Sequence, residues 1–87
     1  MFQVEFADGA ERDLTRLDAR VRERIFKRIQ WLAHNAATVR HVALTGTLND
    51  LYKLRVGDYR VLYDLVPSHQ VLLVHRIRHR REVYGDK

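Results

Sequence analysis

The segment Leu51-Tyr52-Lys53-Leu54-Arg55-Val56-Gly57-Asp58-Tyr59-Arg60-Val61-Leu62-Tyr63-Asp64 alternates apolar and polar residues on both sides of Gly57-Asp58. A two-residue pair of this kind closes a tight hairpin, and a tight hairpin dictates which residues face one another. Val56 falls opposite Tyr59, Arg55 opposite Arg60, Leu54 opposite Val61, Lys53 opposite Leu62 and Tyr52 opposite Tyr63. Successive strand side chains point to opposite faces, so Tyr52, Leu54, Val56, Tyr59, Val61 and Tyr63 make one face, expected to be core. Lys53, Arg55, Arg60 and Leu62 make the other. Arg55 directly opposite Arg60 is unfavourable by about a few tenths of a kcal/mol, because like charges there repel. An anion should relieve it: a carboxylate such as Asp58 or Asp64, or a phosphate.

After a turn at Pro67-Ser68-His69, Gln70 to Ile77 reads as a further strand, and Arg76, Arg78 and Arg80 share one parity. No acidic residue occurs between Asp64 and Glu82, a stretch that also holds His69, His75 and His79. A field of one sign draws polyanions and makes their binding salt-sensitive. By the same parity Leu62, Leu72 and Val74, with Leu51, are expected among these cations as an exposed apolar component, which suits a nucleic acid or a covering protein partner. His75 shares parity with Ile77 and reads as a core or edge residue. His75 and His79 make an improbable metal pair, being too far apart on a strand and lacking a third ligand, and no cofactor is expected.

Towards the N-terminus, Phe2, Val4 and Phe6 alternate with Gln3 and Glu5 as a half-buried strand. Asp8, three residues before Glu11, is expected to cap a first helix from about Gly9 to Leu17 that turns Ala10, Leu14 and Leu17 to the core. Asp18 is expected to cap a second, antiparallel helix. Its Val21, Ile25, Ile29 and Leu32 form the apolar stripe, and Arg20, Arg24, Lys27 and Arg28 an ordinary solvated face. Phe26 and Trp31 are read as core. Asn35 to Asp50, ending in the turn-like Thr45-Gly46-Thr47, bridges the helices to the sheet.

The 87 residues, 46% of them hydrophobic, are enough for one domain over 1–87 with a modest core and a radius of gyration of roughly 12 Å. The fold class is α+β: a small antiparallel sheet packed against two N-terminal helices, in the order β-α-α-β-β-β. Sixteen Lys and Arg against eleven Asp and Glu give a formal charge of +5, which points to an anionic partner. The absence of cysteine excludes disulfides, thiolate nucleophiles and Cys-based metal sites, and fits a cytoplasmic location. Val71-Leu72-Leu73-Val74 is far too short to span a bilayer, so no membrane association is expected.

The run Tyr52-Lys53-Leu54-Arg55-Val56-Gly57-Asp58-Tyr59-Arg60-Val61-Leu62-Tyr63, with the ending His79-Arg80-Arg81-Glu82-Val83-Tyr84, resembles the RelE/ParE superfamily of type II toxins. The likeness covers nearly the whole chain. It implies a toxin held inactive by a cognate antitoxin, with operator DNA bound only as a complex with that antitoxin. In the RelE-like branch it implies a metal-independent endoribonuclease that enters the ribosomal A site and cuts mRNA by attack of its 2′-hydroxyl, leaving a cyclic phosphate and inhibiting translation. Carried over by position, Lys53, Arg55, Arg60, Arg80 and Tyr84 are the implied catalytic residues. Arg55 stands where a Lys is common and is a poor proton acceptor. The alternative is a ParE-like protein that inhibits DNA gyrase by protein contacts without cutting RNA; a third reading is a regulatory binding module.

Such a transesterification needs a base for the 2′-hydroxyl, stabilisation of the phosphorane and an acid for the leaving 5′-oxygen. Arg60 and Arg80 suit the second task, since a guanidinium grips two phosphate oxygens. Lys53 is the candidate base, because Arg55 and Arg60 beside it make its own positive charge costlier to hold. Tyr84 offers a ring for base stacking and a phenol. His79 is a possible acid or base, being of the one residue type that titrates near neutrality.

Overall fold

The computed structural model describes residues 1–43 and 51–84, with the backbone alone for Val83 and Tyr84. Among these residues the elements run β1 (Gln3–Phe6), α1 (Asp8–Thr15), α2 (Ala19–Asn35), β2 (Val42–Ala43), β3 (Tyr52–Val56), β4 (Tyr59–Val66), β5 (Val71–His79) and α3 (Arg80–Tyr84). A 3₁₀ turn over Pro67–His69 precedes β5, and Gln70 leaves it with φ 52°. Thr45-Gly46-Thr47 lies outside the described residues. Among the described residues no helix is long and apolar enough to cross a membrane.

The α+β reading holds, with one sheet in the order β1-β5-β4-β3-β2. β2 through β5 pair antiparallel, as expected, but β1 lies parallel to β5, so the sheet is mixed. The β3–β4 and β4–β5 connections are short and force reversal. β1 meets β5 only after the two-helix excursion and two hairpins, so no turn dictates its direction. The two-residue β2 and the C-terminal α3 are additions to the expected order.

The hairpin register is the one written from Gly57-Asp58 in all five pairs. Gly57 sits at φ 59°, the left-handed region that favours a residue without Cβ. A Cβ there would also lie 2.9 Å from Nη2 of Arg24. Gly57→Ala should therefore cost about 1 kcal/mol, mostly backbone strain because the Arg24 guanidinium can swing away. At this chain length that is a drop of about 4–8 °C in melting temperature; an unchanged value would refute the strain argument.

One face of the sheet packs on the helices. Ala10, Leu14, Ile25, Ile29, Leu32 and Ala33 meet Val56, Val61, Tyr63, Leu72, Val74 and Ile77, with Phe2, Val4 and Phe6 against them. Leu72 and Val74 are fully buried there, not exposed among the cations. The cause is a β-bulge: Leu62 pairs with Arg76, but Tyr63 pairs with Val74, so His75 is the extra residue and the parity of β5 flips. Upstream of His75 the even-numbered residues face the helices; downstream they face away.

Asp18 caps α2 as expected, accepting from the Arg20 amide at 3.1 Å. Asp8 does not cap α1. The Ala7 amide bonds to the Val74 carbonyl, and the Ala7 carbonyl already accepts from Glu11, so the helix starts at once and Asp8 falls in its first turn. There its charge still complements the helix dipole. Phe26 and Trp31, read as core, are 37% and 44% exposed. Phe26 touches Phe6 edge-on at 5.7 Å, and Trp31 lies under the Arg28 guanidinium at 4.6 Å.

Ahead of β2, His41 ties the end of α2 to the core. The Tyr63 hydroxyl donates to its Nδ1 at 2.5 Å, and its Nε2–H reaches the Ala36 carbonyl at 2.8 Å. Burial, with a smaller contribution from Tyr52, pushes the Tyr63 phenol up to about 12, so it remains a donor.

Candidate functional site

The face of the sheet turned away from the helices collects the basic residues. Register places Arg55, Arg60 and Arg78 side by side across three strands, and Lys53, Leu62 and Arg76 in the next row. The bulge is what brings Arg76 and Arg78 here. Leu62, 3% exposed, is the apolar floor between Lys53 and Arg76. Long cationic side chains cover such a floor with their stems while keeping their charges wet.

Adjacent guanidiniums repel, and the structure sends each to a different acceptor. Arg60 turns back along its own hairpin, donating from Nη1 to the carbonyls of Gly57 at 3.0 Å and Tyr59 at 2.9 Å, and is 5% exposed. Arg78 reaches Glu82 of α3 at 3.4 Å, and Arg76 reaches Asp13 of α1 at 2.9 Å. Arg55 is exposed, and among the described residues no carboxylate lies within ion-pair distance of it. It is the guanidinium of this row most available to an external anion.

Asp13 was not read as important from the sequence. It occupies the inward side of α1 between Ala10 and Leu14, and accepts from Arg76 Nε at 2.9 Å, Arg76 Nη2 at 3.1 Å and the Ile77 amide at 2.8 Å. β1 pairs with β5 only as far as Val74, so the Ile77 amide has no strand partner on that side and the carboxylate replaces one. Burial would push this carboxyl up; the Arg76 guanidinium and the Ile77 amide outweigh it and hold it below its ordinary range. The signal for it was an acid on an otherwise apolar helix stripe.

The other candidates lie elsewhere. Arg80 opens α3 at the hairpin end, where its amide donates to the Asp58 carbonyl at 2.7 Å and its guanidinium stands 4.0 Å from the Asp58 carboxylate. The His79 ring is on the opposite face, edge-on to Tyr59 at 5.3 Å, with its Nδ1 accepting from the Arg81 amide at 3.2 Å. Tyr84 ends α3, and its side chain is outside the described residues. The fold thus unites Lys53, Arg55 and Arg60, adds Arg78, places Arg80 at the rim and sets His79 apart. Among the described residues no group of three or more His, Asp or Glu side chains could hold a metal ion.

This fold is shared with solved structures. A chain of the toxin–antitoxin complex RelBE2 from Mycobacterium tuberculosis is 28% identical, covering 91% of this chain and 98% of that one, with a TM-score of 0.79. The isolated RelE toxin of E. coli is 21% identical over 98% of this chain and 93% of its own, with a TM-score of 0.76. The YoeB/ParE toxin from Agrobacterium tumefaciens is 21% identical over 90% of this chain and 98% of its own, with a TM-score of 0.73. No curated protein sequence matches the chain. The family model for the ParE toxin of the type II toxin–antitoxin system parDE matches residues 4–84, nearly all of the 87. With that match, and with the superfamily's hairpin in the expected register, the chain belongs to the ParE toxin family and is the toxin of a type II toxin–antitoxin system.

Proposed function

We propose that this toxin is a ribosome-dependent endoribonuclease that cleaves mRNA in the A site and is held inactive by a cognate antitoxin. The row Arg55–Arg60–Arg78 with Lys53 beside it is the observation that carries this reading: cations gathered in register on one sheet face fit the charge of a phosphodiester in its transition state. Lys53 takes the proton of the 2′-hydroxyl, whose oxygen attacks phosphorus. The bond from phosphorus to the 5′-oxygen breaks, that oxygen takes a proton from water, and a cyclic phosphate remains. Arg55, Arg78 and Arg80 contact the phosphate oxygens, and Arg60 supports them from beneath. Tyr84 is assigned to base stacking by resemblance to the family. A Cα radius of gyration of 12.3 Å suits a confined decoding site.

A second reading, inhibition of DNA gyrase by protein contact, has specific support too. The matching family model is that of ParE toxins, and Arg60 is engaged with its own turn. The two are separated by one paired assay on the purified toxin, scoring cleavage of mRNA on programmed ribosomes and supercoiling by gyrase. Cleavage with unimpaired supercoiling is the expected result; intact mRNA with supercoiling blocked would end the nuclease reading.

A further inference from the structure

We infer a second phosphate-gripping cleft, joined to the sheet-face row through Arg55, where α2 crosses the turn end of the β3–β4 hairpin; its ligand is the backbone of single-stranded RNA, and Trp31, one helical turn beyond the lining, is a stacking platform. This rests on the nuclease reading only in the choice of RNA.

The cleft encloses about 300 Å³ and is lined by Arg24, Lys27, Arg28, Arg55, Val56 and Gly57. Four of these six residues are cations, all exposed, and the lining contains no acid. Among the described residues none of the four has a carboxylate within ion-pair distance. The solvated face read from the sequence of α2 is therefore partly a wall of this cleft. Its closeness depends on the turn: Nη2 of Arg24 lies where a Cβ on residue 57 would crowd it, so the glycine lets a guanidinium settle against the hairpin. Holding like charges together without acids is unfavourable in the free protein, and neutralisation by phosphate would remove that cost.

The ligand class follows from what adjoins the cations. At 3.6 residues per turn, Arg24, Lys27, Arg28 and Trp31 fall along one side of α2, and Arg24 to Trp31 spans about 10 Å of axis. The indole is 44% exposed, too open for a core residue, and holds the Arg28 guanidinium against its ring. Cations tracking a backbone and ending at an exposed aromatic form the arrangement that binds single strands without needing a particular base. Arg55 belongs both to this cleft and to the sheet-face row, so one strand could continue from one to the other. An acidic peptide would use the charges but has no base to lay on the indole.

The test is fluorescence anisotropy with a labelled 12-nucleotide single-stranded RNA carrying 2′-O-methyl groups, which cannot be cleaved, titrated at several salt concentrations. Lys27→Gln with Arg28→Gln should weaken binding roughly 10-fold near 0.1 M salt and reduce the slope of log K against log salt by about 1.4, two contacts at about 0.7 each. Trp31→Ala should weaken it about 5- to 100-fold with little change in slope. Arg12→Gln with Arg16→Gln, exposed cations at the C-terminal end of α1, is the control for net charge. Wild-type affinity in the α2 double variant overturns the cleft, as does an equal loss in the control pair. So does a double variant that loses an acidic peptide but not RNA. If the wild type binds the strand through these residues yet leaves ribosomal mRNA intact, the cleft stands and the nuclease reading falls. If it cuts mRNA and the α2 double variant binds like wild type, only the cleft falls.

Discussion

Replacing Arg60 and Arg78 together by alanine is expected to slow mRNA cleavage on programmed ribosomes by at least about 10²-fold, the loss typical of removing a preorganised donor to transition-state charge. The two residues are cross-strand neighbours in the basic row, so their removal leaves Arg55 as its one remaining guanidinium. The roles differ. Arg78 is half-exposed with a loose ion pair to Glu82, and an exposed pair of that kind contributes little to stability, so Arg78→Ala alone should reduce activity in a normally folded protein. Arg60 also braces the hairpin turn, so Arg60→Ala should lose some stability as well as activity. A folded, soluble double variant that cleaves at the wild-type rate would remove this face from the chemistry.

Asp13→Ala should have the largest effect on stability, a loss of about 3 kcal/mol. It breaks two charge-assisted hydrogen bonds to Arg76 and leaves the Ile77 amide without its acceptor. For a domain of this length that is a fall of about 12 °C or more in melting temperature, readable by calorimetry or circular dichroism. A change under about 2 °C would show that the contact is incidental. The same carboxylate predicts the acid limb of stability. Its pKa is lower folded than unfolded, so its contribution is complete above the ordinary value of 3.8 and is lost as the pH falls through the depressed one. The Asp13→Ala protein should accordingly lose less stability than wild type on acidification.

The hairpin was legible from the sequence because its register needs only a local turn and strict alternation, both present from Tyr52 to Tyr63. The buried stripe of α2 was legible for the same reason, Ile25, Ile29 and Leu32 recurring at helical spacing. What escaped depends on contacts distant in the chain. Asp13 and Arg76 are 63 positions apart, and nothing local to either announces the pair. Carrying parity unbroken through β5 placed Leu72 and Val74 among the cations; the slip at His75 follows from where β4 and β1 both grip the strand. The basic residues of α2 looked merely solvated because their relation to Arg55 arises only once α2 lies across the hairpin. Trp31 looked like core because indoles usually are, and its exposure is decided by which side of the helix the sheet occupies.

The extra residue at His75 also separates two kinds of constraint that a regular strand would entangle. Before it, Leu72 and Val74 answer to packing, where a change of one methylene is felt. After it, Arg76 and Arg78 occupy the same numerical parity but answer to charge. Arg78, with only an exposed pair to Glu82, can be exchanged to suit another target, while the inward half and the Arg76–Asp13 contact keep the chain folded.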